Sequence, residues 1–288
     1  MANFYAYDFM YDDIPSQKFD LKIITFEDGG LFNGIGSSDV NILTQRVLRK
    51  SKPYYLGRTQ EPVLEFPLVF GRASPVSGMD RDIISAWLFG RAEYKKLYIL
   101  QDDLNGAYFN CFMTKPEPLY IGNVNYAFQC TVVCDSPWAY SPEKIVSGSA
   151  TLSAGQVYPI DIYNSSSEDE YLYPTIHFIA DVEPYFYIEG GEAPLSFMLV
   201  NVTDSSREFA FYGLIDDDEV TVNNDLQIIT SSRVDPTTVG FVSSSIPGIL
   251  NSFNKNWFRL LPRHNHLELQ TSAQLFEIRY TERLKIGG

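Results

Sequence analysis

Asp80-Arg81-Asp82-Ile83-Ile84-Ser85-Ala86-Trp87-Leu88-Phe89-Gly90-Arg91-Ala92-Glu93-Tyr94-Lys95-Lys96 is the stretch in this 288-residue chain where the apolar period changes. Ile83, Ile84, Trp87, Leu88 and Ala92, with Arg91 less regular, recur at the spacing of one helix face. Ser77 or Asp80 can start the helix by accepting backbone N–H bonds that a first turn leaves unused. The spacing predicts a helix over 80–96, and the sequence on either side follows a different period.

Upstream, Phe19–Phe26 alternates apolar and polar residues as a half-buried strand does, and Asp28-Gly29-Gly30 ends it in a turn. Leu64–Phe70 has the same character but contains Pro67, which cannot donate to a ladder. That segment is expected to be an edge strand or to carry a bulge. Downstream, Leu97–Leu100 and Ala107–Met113 flank the polar turn 102–106, which closes on Asn-Gly and reads as a hairpin. Tyr126–Cys134 is a further strand.

Ser136-Pro137 and Ser141-Pro142, followed by the small residues Ser147–Gly155, mark the end of a first domain. Beyond them the pattern is β throughout: Val157–Tyr163, Leu172–Ile179, Phe186–Ile188, Ser196–Val202, Glu208–Leu214, Glu219–Asn223, Leu226–Thr230, Trp257–Leu261, His266–Leu269 and Leu275–Tyr280. Many short strands at regular spacing argue a sandwich or barrel. The expected organisation is mainly β, with domains over 1–142 and 143–288 and one helix in the first.

Composition narrows the function. With 19 Tyr and 20 Phe beside 3 Trp, the aromatics suit pleated, half-buried surfaces, and Tyr adds a polar tip that suits interfaces. The net charge is −14, which opposes free binding to nucleic acid. The acidity is uneven: residues 1–140 carry 13 basic and 16 acidic residues, and the remainder 9 and 20. No signal peptide pattern opens the chain, and nowhere do about 18 apolar residues run together as a membrane span requires.

Chemistry-bearing residues form no constellation. Cys111, Cys130 and Cys134 lack the spacing of a zinc site and are expected to be buried free thiols. His177 alternates with apolar residues in a strand. His264 and His266 form a His-x-His without an identifiable third ligand. Asp216-Asp217-Asp218-Glu219 lacks the spaced ligands and glycine of a calcium loop and reads as a solvated turn. No cofactor site and no enzyme activity are expected. The run Arg46, Arg49, Lys50, Lys52 and Arg58, interleaved with Tyr54 and Tyr55, superficially matches a nucleic-acid patch, but the chain around it is not basic. A solvated face, or a salt-bridging subunit contact against acidic surface elsewhere, is the better reading.

Several stretches, taken in order, resemble the siphophage distal tail protein family. Arg81–Leu88 ends in Trp-Leu, Tyr94-Lys95-Lys96-Leu97 enters a strand, Gln101-Asp102-Asp103 turns, and Tyr108 follows. Cys134-Asp135-Ser136-Pro137-Trp138-Ala139-Tyr140 is similar to that family's domain end. In the second half, Asp216–Ile229 resembles its turn, strand, Asn-Asn and strand. Trp257–Leu267 resembles its Leu-x-Pro-Gly-x-Asn turn before a strand, with Arg263 where glycine is usual, and Phe276–Tyr280 fits its last strand.

The resemblance implies an N-terminal β-sandwich with one helix that builds a homo-oligomeric, usually hexameric, ring at the end of the tail tube. It also implies an outward-facing C-terminal sandwich, galectin-like or like a carbohydrate-binding module. Implied partners are the tail tube protein, a tail-tip hub protein and receptor-binding proteins, with DNA passing through the channel unbound. The implied place is the virion tail tip, after synthesis in the host cytoplasm. An alternative is an adhesin whose C-terminal domain stacks cell-wall sugar on Tyr171, Tyr173, Tyr185, Tyr187 or Trp257.

Overall fold

The computed structural model describes residues 5–25, 40–60, 63–101, 104, 106–153, 155–167, 170–182, 195–232 and 249–285. The chain divides into two units, Met1–Pro142 with Arg283–Gly288, and Glu143–Glu282. The sequence pattern carries the second domain to residue 288, but the last described strand pairs back with the first unit. Antiparallel partners for Arg283 and Leu284 are offered there by Tyr140 and Ala139, a tertiary pairing that local pattern does not encode.

In the first unit the strands are β1 (Tyr5–Tyr7), β2 (Phe9–Tyr11), β3 (Ile14–Pro15), β4 (Lys22–Thr25), β5 (Val40–Gln45), β6 (Tyr54–Gln60) and β7 (Glu65–Gly71). Helix α1 (Gly78–Phe89) follows, then β8 (Lys95–Ile99), β9 (Tyr108–Ile121), β10 (Val124–Cys134) and β11 (Ala139–Tyr140). Apart from β5 and β6 they share one sheet, with the path β1-β4-β7-β10-β9-β8-β2-β3. Alternation drives it: in β7 Phe66, Leu68 and Phe70 turn to the core while Glu65 and Pro67 face out. Among the described residues, Phe70 and Gly71 of β7 meet β4, and Pro67 stands opposite Thr131 of β10.

Helix α1 starts where expected: Ser77 Oγ accepts the Asp80 amide at 3.1 Å. It ends at Phe89, about two turns before the predicted limit. The amide of Gly90 closes on the Ala86 carbonyl, and a Cβ at Gly90 would lie 2.6 Å from that oxygen. Ala92 is then exposed, and Leu97 and Ile99 turn inward with period two in β8. Ile84, Trp87 and Leu88 form the buried face, and Ile83 stays half-exposed. Trp87 stacks on Phe9 at 5.8 Å, meets Phe19 at 4.8 Å and donates Nε1–H to the Tyr11 carbonyl at 3.0 Å. The predicted strand 19–26 is shorter at its start: Ser16–Phe19 is a 3-10 turn, and Asp20, at φ 54°, redirects the chain into β4.

The second unit holds β12 (Lys144–Ala150), β13 (Tyr158–Asn164), β14 (Thr175–Ala180), β15 (Leu195–Asn201), β16 (Arg207–Tyr212), β17 (Glu219–Asn223) and β18 (Ile228–Ser231). A one-turn helix, α2 (Ile249–Ser252), β19 (Arg263–Leu269) and β20 (Ala273–Tyr280) complete it; β21 (Arg283–Leu284) belongs to the first unit. Two sheets form, β12-β20-β14-β17-β18 and β13-β19-β15-β16. Their inward residues make one aromatic core: Phe178 of one sheet stacks on Phe197 of the other at 3.8 Å, and Phe209 meets Phe211, Phe253 and Phe258 edge-on. This is a β-sandwich, and the mainly β expectation holds in both units.

Strand β12 has no counterpart among the expected strands; the small residues Ser147–Gly155 marked only the end of the first domain. Gly148 explains the composition: a Cβ there would press on the Phe276 ring at 2.9 Å. The predicted strand at 257–261 shrinks to a single bridge between Leu260 and Leu172, and 186–188 lies outside the described residues.

Candidate functional site

The basic run resolves into a local structure. Among the described residues, strands β5 and β6 form a two-stranded sheet of their own, with a register shift between Leu43 and Thr44. Arg46, Arg49, Lys50 and Lys52 all lie in the connection that joins them, and all are exposed. Arg49 takes a left-handed turn position at φ 70°, and the Lys50 amide donates to the Val47 carbonyl at 3.1 Å. Lys50 Nζ bonds the Tyr54 hydroxyl and sits 5.0 Å from that ring's centroid. Arg58 is on β6 opposite Ile42; its side chain is outside the described residues.

The register gives this hairpin an unusual property. Ile42 and Tyr55 fall on one face and Leu43 and Tyr54 on the other, and their exposures are 67%, 66%, 47% and 48%. Leu48, at the turn, is 89% exposed. A two-stranded ribbon alone is marginal in water, and one with apolar residues on both faces needs cover on both. The sequence pattern points to the cations and to Tyr54 and Tyr55, but not to Ile42, Leu43 and Leu48. The signal was present, as two β-rich runs separated by a polar segment, but the charges drew the reading instead.

The tyrosines proposed for sugar are placed differently from one another. Tyr171 and Tyr173 flank the buried Leu172 and are both partly exposed. The guanidinium of Arg259 lies 4.2 Å from the Tyr171 ring centroid. Arg259 is held by Asp204 through Nε at 2.8 Å and Nη2 at 2.9 Å, and Arg207 adds a third bond at 2.8 Å. These hydrogen bonds, Arg259 foremost, hold the Asp204 carboxyl below the usual range, and Asp204 in turn raises Arg259. Trp257 is half-buried and packs edge-on against Phe253 at 5.0 Å. Tyr185 and Tyr187 lie outside the described residues.

The remaining polar groups serve local bonds. His177 Nδ1 is 3.0 Å from Thr221 Oγ1, His266 Nδ1 is 2.8 Å from Asp161 Oδ1, and His264 packs edge-on to Tyr163. In the acidic turn, Asp218 accepts the Ile215 amide, and Asp216 and Asp217 accept from Gln274 Nε2. Among the described residues no group of three or more His, Cys, Asp and Glu is arranged to hold a metal. No helix among them is long and apolar enough to cross a membrane. All three cysteines are buried with free thiols.

Two family profiles cover nearly the whole chain: a phage tail protein N-terminal domain over residues 4–136 and a phage tail C-terminal domain over 138–280. The chain belongs to this phage tail protein family. No curated protein matches it in sequence. Among solved structures it is similar to Dit (gp 19.1) of phage SPP1, described as a paradigm of hub adsorption apparatus in phages infecting Gram-positive bacteria. The TM-score is 0.62 at 12% identity, covering 96% of this chain and 98% of that one. It is also similar to a chain of the phage p2 baseplate in its activated conformation. The Ca form gives a TM-score of 0.52 and the Sr form 0.53, each at 10% identity and covering 98% of this chain and 99% of that one. At such identities the likeness is one of fold, and at that level the resemblance to distal tail proteins is borne out.

Proposed function

We propose that this phage tail protein is a distal tail hub whose copies close into a hexameric ring, without enzymatic activity. The first unit forms the ring and the second faces outward. The ring joins the tail tube protein to a tail-tip hub protein, offers docking sites for receptor-binding proteins, and leaves a channel through which DNA passes unbound. The supporting observation is the β5–β6 hairpin, apolar on both faces and cationic at its turn, in a chain of net charge −14. Apolar cover from a second copy stabilises such a ribbon, and the cations choose an acidic partner.

Light scattering of the purified chain over a range of concentration and salt tests this. The expected outcome is a hexamer or a monomer–hexamer equilibrium. The variant Ile42→Asp/Tyr55→Asp should remain monomeric. A wild-type chain that stays monomeric, and a variant that still assembles into infectious tails, would together sink the ring reading.

A second reading rests on Tyr171, Tyr173 and the fixed Arg259 guanidinium, which could present an aromatic and polar surface to sugar in an adhesin. A pull-down of the full chain on host cell walls, against Tyr171→Ala/Tyr173→Ala, decides it. Equal retention of both removes the sugar reading.

A further inference from the structure

Cys111 on β9 and Cys134 on β10 are directly opposed in the ladder. Next to them, the Asp135 amide donates to the Asn110 carbonyl at 2.9 Å, so Asn110 and Asp135 occupy a hydrogen-bonded position. The Cys134 amide points the other way and donates to the Leu64 carbonyl at 2.9 Å. Cys111 and Cys134 are therefore a non-hydrogen-bonded pair, the position where opposed Cα atoms come to about 4.5 Å and side chains are nearest. That lies within the roughly 4.4–6.8 Å span of disulfides. Both side chains are fully buried in the core of the first unit. Cys130 has no such partner: it falls at the register shift between Gln129 and Thr131, and its opposed residue on β7 is Leu68.

We propose that Cys111 and Cys134 are a redox pair that closes into a cross-strand disulfide when the virion leaves the reducing host cytosol, while Cys130 stays a thiol. The reaction needs a small peroxide oxidant. Peroxide oxidises one thiol to a sulfenic acid and leaves as water. The second thiol's sulfur then displaces the hydroxyl, which departs with that thiol's proton as a second water. Two S–H bonds break, one S–S bond forms, and the peroxide is reduced. Burial is the main force raising all three thiols, with Cys130 and Cys134 pushed up to about 12 and Cys111 raised further, so oxidation proceeds through local opening and is slow in the closed state. The bond would tie the base of the β9–β10 hairpin, whose outer part, with Tyr120 and Ile121, is exposed.

Reduced full-length protein is treated with hydrogen peroxide at stepped urea concentrations below its unfolding midpoint, alkylated, and mapped by non-reducing peptide mass spectrometry. The expected result is the loss of two hydrogens, one peptide linked through Cys111 and Cys134, and Cys130 recovered alkylated after unfolding. The linked protein should melt several degrees higher, reversibly with reductant. Cys130→Ala should form the same link, and Cys134→Ala should form none. Should Cys134→Ala fail to fold, the wild-type map and Cys130→Ala still decide. Three alkylatable thiols surviving conditions in which hydrogen exchange shows β9 and β10 opening would overturn the proposal, as would a link that includes Cys130.

Discussion

Arg263 sits at φ 73°, in the left-handed region where a Cβ is strained and glycine is not. Two residues on, Asn265 explains why the turn is kept. Its Oδ1 accepts from the Leu261 amide at 2.7 Å and Asn201 Nδ2 at 3.0 Å, and its Nδ2 donates to the Leu261 carbonyl at 2.9 Å. Replacing Arg263 by glycine should therefore stabilise the second unit by about 0.5–1 kcal/mol, the strain relieved less the added entropy of the unfolded chain. Chemical denaturation would show it as a higher midpoint at unchanged slope. Glu282 belongs to the same scale. Its buried carboxylate accepts from the Ser165 amide at 2.9 Å and hydroxyl at 2.6 Å, and lies 2.7 Å from Lys144 Nζ. Burial alone would raise its pKa, but the bonds from Lys144 and Ser165 outweigh it and hold the carboxyl below its ordinary 4.5. A depressed folded value means stability that is complete above the unfolded pKa and lost as pH falls through the folded one. Glu282→Gln should cost about 2 kcal/mol at neutral pH, with the difference from wild type shrinking once pH drops below 4.5; an equal difference at all pH values would refute this.

At the scale of elements, the β5–β6 ribbon should be the least protected of the described strands in the unassembled protein. Among the described residues it pairs with no third strand and has little buried apolar surface. Hydrogen exchange should find the amides of 42–44 and 55–58 fast in a monomer and slowed at least tenfold in the assembled form. Equal rates in both would remove the hairpin from the interface. Helix α1 behaves in the opposite way, because its stability comes from the Trp87 ring set between Phe9 and Phe19. Its cap and buried face were legible from Ser77, Ile84, Trp87 and Leu88. Its end was not, because the close approach of Gly90 to the Ala86 carbonyl decides it.

For the whole molecule, two separate aromatic cores imply two separable sources of stability. Trp87→Ala should remove about 3–5 kcal/mol from the first unit, and Phe178→Ala a similar amount from the second. Calorimetry should show each variant lowering a different transition. A single transition shifted equally by both would mean that the chain unfolds as one cooperative body. The segment Glu143–Glu282 has its own end-to-end closure, with Lys144 opposite Tyr280 in β12 and β20.

Alternation and turn residues by themselves determined that the chain is β-rich with one long helix and that its second half is a sandwich or barrel. Those signals are local: a period of two or 3.6 is written in consecutive side chains. Long-range pairing was left to the tertiary structure. Strand β12 pairs with β20, and its Gly148 leaves room there for Phe276. The chain end returns to the first unit because Arg283 and Leu284 find Tyr140 and Ala139. The two apolar faces of the basic hairpin follow from a register that shifts between Leu43 and Thr44. Each depends on residues far apart in sequence meeting in space, and register and packing, which carry that information, are fixed only when the chain has folded.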